Sequence, residues 1–225
     1  MSSIPDRRPT FDERRYTWRN EARARKYDHR YSSLAGRLSN RRVLDTYARA
    51  IEANGVRGWL LDCPTGTGRL LPALLGSGAS VMGGDIAPEM MKVARDQFPV
   101  NGTIRGYVGM DILALPFRDG ALGAVCVARL TQHCDGGERV KILKELRRVT
   151  SGPILVSYYH RYTFKYFSRW LRGKLGLRKG RLQGVSLAEL REDARAAGLE
   201  VAGLAWVFPI LSTNWLVTFR RPAAG

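Results

Sequence analysis

Short apolar runs alternate along this chain with longer stretches in which apolar residues recur every three to four positions. Leu34 to Ala53 is of the second kind. Leu38, Val43, Leu44, Tyr47, Ala48 and Ile51 share the helical spacing and predict an amphipathic helix. Gly55 and Gly58 break it before a four-residue apolar run, Trp59 to Asp62, that predicts a strand ending in an acid. A turn with Pro64, Gly66 and Gly68 follows, then a helical run from Arg69 to Leu75 and a turn through Gly76 and Gly78. Ala79 to Gly83 predicts a second strand, with Asp85 just beyond it. Pro88 to Gln97 predicts a helix with proline at a favourable first position.

The alternation continues. Ile104 to Val108 predicts a third strand, ahead of Asp111, and Ala124 to Ala128 a fourth. Gly137 to Val149 predicts a long helix and Ile154 to Ser157 a fifth strand. Ser186 to Gly198 resumes as a helix, with Ser186 as N-cap, Glu189 completing a capping box and Gly198 as the stop. Val201 to Leu211 and Trp215 to Arg220 close the chain as two strands. The short turn between them, through Ser212, Thr213 and Asn214, suits an antiparallel pair. Short strands alternating with helices predict an α/β fold with a mostly parallel sheet covered on both faces. The 225 residues suffice for one domain with a full core. We divide the chain into a basic N-terminal tail and cap helices, 1–54, and a main domain, 55–225, with a basic aromatic insertion at 158–185. Met1 to Thr10 reads as a tail, and from Phe11 the pattern is helix-compatible, with Tyr16, Trp18 and Tyr27 among many arginines.

Composition changes this picture in one respect. The hydrophobic fraction, 44%, is ordinary, but the formal charge is +17. Such a field attracts polyanions: nucleic acid, anionic lipid or acidic substrates. The three cysteines, Cys63, Cys126 and Cys134, form no CxxC pair and imply neither a disulfide framework nor a zinc site. No carboxylate–histidine cluster has metal-ligand spacing, so no metal is expected. The N-terminus lacks the apolar stretch of a signal peptide, and no apolar run approaches the roughly 20 residues of a membrane span. The expected location is cytoplasmic, soluble or peripheral to a membrane.

The chemistry concentrates in the stretch from Trp59 to Asp85. A strand, a glycine turn, a helix, a second strand and an acid are the parts that present a nucleotide-like ligand to the carboxyl ends of parallel strands. Glycine lets a ligand approach the backbone and permits positive φ. An acid after the second strand can accept hydrogen bonds from two ribose hydroxyls. The turn is not GxGxxG, which argues against a dinucleotide dehydrogenase.

Four signatures in order, LDCPTGTGR, VMGGDIAPEMMKVAR, GMDILALPFRDGALGAVCV and LKELRRVTSGPILVS, resemble class I S-adenosylmethionine-dependent methyltransferases. The resemblance covers roughly Leu60 to Ser157 and leans to the small-molecule and quinone-biosynthesis branch. It implies a Rossmann-like fold with a seven-stranded sheet, a final antiparallel pair and a helical cap, and S-adenosylmethionine as cofactor. It implies that Asp62 organises the loop near the methionine amino group. Pro64, Gly66 and Gly68 form the turn the cofactor approaches. Asp85 binds the ribose, with Ile86 and Met90 flanking adenine and ribose. Asp111 and Ile112 hold the adenine, and Arg129 lies beside the methionine end or the acceptor. His133 matches a histidine after strand four. Three departures stand out: Pro64 replaces the first glycine, Leu122-Gly123 the usual Phe-Asp, and Ser151-Gly152-Pro153 the usual Gly-Gly.

Methyl transfer from a sulfonium needs proximity and alignment first. A base is needed only where the acceptor must lose a proton. The candidates are His133, His160 and Tyr158; each histidine is equally readable as a packed or solvent-facing residue. The acceptor question turns on the insertion. From Ser151 through Ala188 there is no Asp or Glu. Phe164, Phe167, Leu171 and Leu175 share one helical face, and Arg161, Lys165, Arg169 and Arg172 another. A helix packed on the sheet, a contact helix for an anionic membrane carrying Trp170, and an RNA-binding segment all fit. Tyr16, Trp18, Tyr27 and Tyr31 with Tyr158, Tyr159, Tyr162 and Trp170 would line an aromatic pocket with a positive rim. The expected function is methyl transfer to a small-molecule or lipid-like acceptor. An RNA methyltransferase and a non-catalytic adenosylmethionine-binding accessory protein are the alternatives.

Overall fold

The structure is a computed structural model and describes residues 33–161, 183–207 and 214–223. The expectations for the N-terminal tail, for the helix at 160–175 and for the turn at Ser212 and Thr213 therefore lie outside the described residues, bar the first two positions of that helix. Seven strands form one sheet in the order β3-β2-β1-β4-β5-β7-β6. They are β1 (Trp59–Asp62), β2 (Ser80–Asp85), β3 (Ile104–Gly109), β4 (Ala124–Val127), β5 (Ile154–Tyr159), β6 (Glu200–Trp206) and β7 (Asn214–Arg220). The β1, β2, β3, β4 and β5 pairings are parallel, and β7 runs antiparallel to both β5 and β6. This is the Rossmann-like arrangement expected, with its closing antiparallel pair.

The helices are α1 (Leu34–Ala53), α2 (Leu71–Leu74), α3 (Pro88–Gln97), α4 (Gly136–Val149) and α5 (Leu187–Ala196). Strand alternation sends successive residues to opposite faces. Leu60, Ala124, Cys126, Leu155 and Leu216 join Tyr47 and Ile51 of α1 and Leu71 and Leu74 of α2 on one face. Leu61, Val125, Val127, Val156 and Val217 join Ile142, Leu143 and Leu146 of α4 and Leu190 and Ala194 of α5 on the other. Both faces are covered, which is why the central strands read as continuous apolar runs.

Several boundaries differ from expectation. The helical run expected over Arg69 to Leu75 is shorter, because a 3₁₀ turn takes over at Leu75 and Gly78 ends it in the left-handed region. β2 does not stop at Gly83. Gly84 and Asp85 continue pairing with β3, opposite Val108 and Gly109, so Asp85 is the last residue of the strand. β6 ends at Trp206 within the described residues. α5 keeps the expected capping box: the Ser186 hydroxyl accepts from Glu189 N, and the Glu189 carboxylate accepts from Ser186 N. α4 carries a second one, between Asp135 and Glu138.

β5 is the correction with most bearing on function. It runs two residues past Ser157, because Tyr158 and Tyr159 pair with Trp215 and Asn214. Both tyrosines are sheet residues rather than the start of the insertion. Beyond them the chain closes on itself: Val185 N donates to Tyr159 O at 2.7 Å, and Arg161 N to Val185 O at 3.2 Å. The Arg161 guanidinium also meets Glu189 at the start of α5, 2.8 Å away.

Candidate functional site

The carboxyl ends of β1, β2 and β4 converge at one edge of the sheet. β1 ends at Asp62, which is fully buried. One of its oxygens accepts a 2.9 Å hydrogen bond from the Thr65 hydroxyl, and the other, Oδ1, has no partner among the described residues. Burial, with Asp85 nearby adding to it, pushes the Asp62 carboxyl up to about 7, while the Thr65 bond pulls it down.

The turn after Asp62 contains the cis bond between Cys63 and Pro64. Gly66 and Gly68 have φ of 55° and 80°. At Gly68 the left-handed backbone and the packing agree, since a methyl group there would lie 2.9 Å from Phe98 and 3.0 Å from Leu71. At Gly66 a methyl would meet only Met90 Cε, at 3.5 Å, so Met90 of α3 sits directly over the turn. Thr67, between the two glycines, is buried, and its hydroxyl has no partner among the described residues.

Asp85 ties this turn to the next one. Its two carboxylate oxygens accept from Gly66 N at 2.8 Å and from Ala87 N at 2.9 Å. Burial pushes this carboxyl above its usual range, and the backbone N–H groups pull it back. Gly83 and Gly84 ahead of it make room for close packing. A methyl on Gly83 would lie 2.7 Å from the Tyr107 ring, and one on Gly84 2.5 Å from the Met110 sulfur. The backbone N–H of Met110 donates to Asp85 O, which brings Asp111 alongside. Asp111 then closes a tight turn, accepting from Leu113 N at 2.9 Å. Ile86 is half-buried beside Asp85, and Ile112 packs into the core on the α4 side.

The second half of the edge lies over β4 and β5. Arg129 takes φ of 60°, and its backbone N–H donates to the Ser157 hydroxyl at 2.8 Å. Thr131 donates to Ser157 O at 2.6 Å, and the Gln132 side-chain amide to Arg129 O at 2.6 Å. Gln132 is buried, and its Oε1 has no partner among the described residues. The Tyr47 hydroxyl donates to Val127 O at 2.8 Å and fastens α1 to the end of β4.

The structure thus brings Asp62, Pro64, Gly66, Gly68, Asp85, Ile86, Met90 and Asp111 together around one turn. It sets the three proton-transfer candidates in two separate places. His133 is exposed, at the end of the short 3₁₀ turn Thr131–His133. Tyr158 and His160 share the α4/α5 face. Tyr158 is buried with no hydrogen-bond partner for its hydroxyl among the described residues, and burial pushes that hydroxyl far above its usual range. His160 stacks 4.1 Å from the Trp215 ring and 5.2 Å from Trp206, and burial lowers its imidazole below the usual value. Sequence reasoning missed Thr65, Thr67, Gln132, Ser157 and Tyr47. The hydroxyls in the TGTG turn were the one local signal available, because the other contacts join residues far apart in the chain.

The edge suits an adenosine-bearing ligand with a cationic end. Two buried oxygens without partners, Asp62 Oδ1 and Thr67 Oγ1, flank glycines that keep the backbone approachable. Buried polar atoms left in that state are unfavourable until something meets them. The Asp85 carboxylate has acceptor capacity left beyond its backbone bonds from Gly66, Ala87 and Ile86.

Comparison with known proteins agrees. Residues 61–152 match a family described as "Methyltransferase domain". A demethylmenaquinone methyltransferase of Thermus thermophilus is 44% identical over 71 residues, 31% of this chain. That match takes in only 32% of the relative's own length. The structure of magnesium protoporphyrin IX methyltransferase from Synechocystis with bound S-adenosylmethionine superposes with a TM-score of 0.72 at 15% identity, covering 97% of this chain and 100% of that one. An O-methyltransferase of neocarzinostatin biosynthesis, complexed with S-adenosylhomocysteine and 1,4-dihydroxy-2-naphthoic acid, gives 0.57 at 23% identity, covering 75% of this chain and 50% of that one. These structural likenesses show the fold.

Proposed function

We propose, on the premise that residues 61–152 form a methyltransferase domain, that this protein transfers a methyl group from S-adenosylmethionine to a small acceptor bearing a flat hydrophobic ring. The observation that carries the reading is Asp85, whose two oxygens knit the glycine turn to the β2–α3 turn. In that position it accepts the two ribose hydroxyls while holding both loops against the nucleoside. Asp62 Oδ1 is the acceptor for the methionine ammonium. Asp111, Ile112, Ile86 and Met90 form the adenine end, and Arg129 stands between the methionine end and the acceptor. When bound, S-adenosylmethionine supplies a sulfonium-activated methyl group: the acceptor–methyl bond forms as the sulfur–methyl bond breaks and S-adenosylhomocysteine leaves. The protein's part is alignment and exclusion of water. His133, exposed beside the Arg129 turn, is the proton acceptor we favour where the acceptor atom carries a proton. Tyr158 and His160 face away from this turn and are the weaker assignments.

The ring-bearing acceptor is supported by the 44% identical segment shared with a demethylmenaquinone methyltransferase. The charge of +17 favours an RNA acceptor as the second reading. Labelled-methyl transfer into a cell extract, fractionated into lipid, small-molecule, RNA and protein pools, decides between them. Label is expected in the lipid or small-molecule pool. Label in RNA overturns the acceptor assignment. Measured cofactor binding with no label anywhere assigns the chain to a non-catalytic accessory role.

A further inference from the structure

α1 runs opposite to β1. Its C-terminal end lies at the amino edge of the sheet, where Asn54 meets Arg220, the last residue of β7. Tyr47 is level with Val127, the last residue of β4. The residues before Tyr47 therefore run on toward the carboxyl edge, Val43 and Leu44 still packed on the core, and the first turns of the helix stand farthest out. Asn40 in this projecting part bonds Arg69, the residue after Gly68. The projecting turns thus stand beside the mouth of the site described above.

Their surface is unusual for a helix that packs on a core. The apolar pattern groups Leu38 with the buried positions of α1, yet Leu34 and Leu38 are 77% and 56% exposed, because both stand on the side away from Tyr47. The side opposite Tyr47 and Ile51 carries, by helical spacing, Leu34, Leu38, Arg41, Arg42 and Arg49, with the acids Asp45 and Glu52 toward its C-terminal half. Arg37 is exposed one row over. From Ser33 through Leu44 there is no acidic residue. The N-terminal end of a helix also carries partial positive charge. Leucines standing in water beside arginines are the combination that lies in an anionic bilayer interface, the leucines among the acyl chains and the guanidinium groups at the phosphates.

We propose that the first three turns of α1 are a docking surface for an anionic lipid membrane. Docked there, the protein presents its site edge to the bilayer, so an acceptor dissolved in the membrane reaches Arg129 without crossing water. That last consequence rests on the proposed ring-bearing acceptor; the docking itself does not.

The test is co-sedimentation of the full chain, without cofactor or acceptor, with phosphatidylglycerol vesicles and with pure phosphatidylcholine vesicles. Binding is expected to the first and not the second. Replacing Arg41 and Arg42 together by Gln lowers the partition coefficient about 30-fold, at about fivefold per arginine. Leu34→Ser with Leu38→Ser lowers it about tenfold. All four side chains are exposed, so both double variants melt like the parent; should the leucine pair fail to fold, the arginine pair carries the test. Equal binding to the two vesicle types, or unchanged partition in the arginine pair, overturns the proposal. Loss of tRNA binding in these variants, with no vesicle binding by the parent, assigns the face to RNA and overturns it too. A membrane result of either sign leaves the methyl-transfer assay untouched.

Discussion

Two kinds of buried acid lie within this fold, and their partners differ. Asp193 of α5 is buried with the Arg139 guanidinium 2.6 Å away, and Arg139 also donates to Cys134 O. Burial pushes that carboxyl up and Arg139 pulls it back. The pair joins α4 to α5 and has a complete set of partners. Asp62 and Asp85 are buried as deeply, yet among the described residues neither has a cationic partner. Their charge meets only backbone N–H groups and one hydroxyl. An acid with its cation inside the chain holds helices together; an acid without one is left for a cation or hydroxyl that arrives from outside.

The largest effect expected from this contrast is on the Asp193 side. Asp193→Ala leaves Arg139 buried and unpaired, and costs about 3–5 kcal/mol of stability in urea melts. Restoring an apolar pair, Arg139→Met with Asp193→Leu, recovers most of that loss. If the single variant melts like the parent, the pair is not what joins the helices.

Asp62 is expected to behave in the opposite direction. It titrates at about 7 when folded, against about 3.9 in an unfolded chain. Between those pH values the folded state holds a proton the unfolded state lacks. The stability this group contributes is therefore greatest below pH 4 and falls as pH rises to 7. Asp62→Asn should remove that slope and stabilise the ligand-free protein at pH 8 by on the order of 2–4 kcal/mol. The same carboxylate must be ionised to take an ammonium. Adenosylmethionine affinity should then rise with pH up to about 7 in the parent and lose that dependence in the variant. Parallel pH profiles in calorimetry for parent and variant would remove Asp62 from the site.

The smallest expected effect is on Asp85. Asp85→Ala removes the ribose acceptor and releases Gly66 N and Ala87 N, weakening adenosylmethionine by about 1–3 kcal/mol. Unchanged affinity would sink the ribose assignment and, with it, the observation that carries the proposed function.

The glycine turn and its acids were legible in the sequence because their physics is local. Gly66 and Gly68 need positive φ, and an acid at a strand end is fixed by the strand that precedes it. The alternation of apolar runs and helical spacing gave the layered sheet for the same reason. What was not legible depended on which residues stand opposite one another. Gly83 and Gly84 looked like the end of a strand, but they continue it, because Tyr107 and Met110 fill the space their missing side chains leave. Leu38 counts among the recurring apolar positions of its helix, yet it lies in water on the side opposite Tyr47.

Tyr158 shows the division most plainly. Composition placed it in an aromatic, basic stretch with a free choice of direction. Pairing with Trp215 extends β5 through Tyr159, and alternation then sends Ser157 toward the Arg129 turn and Tyr158 into the core beside Phe219. The amino-acid order determined the elements, the turn that can take a nucleoside and the acids beside it, since each follows from residues a few positions apart. Only the tertiary structure decided which of the later aromatic and basic residues face that turn, because a strand's direction of presentation is set by a partner more than fifty residues away.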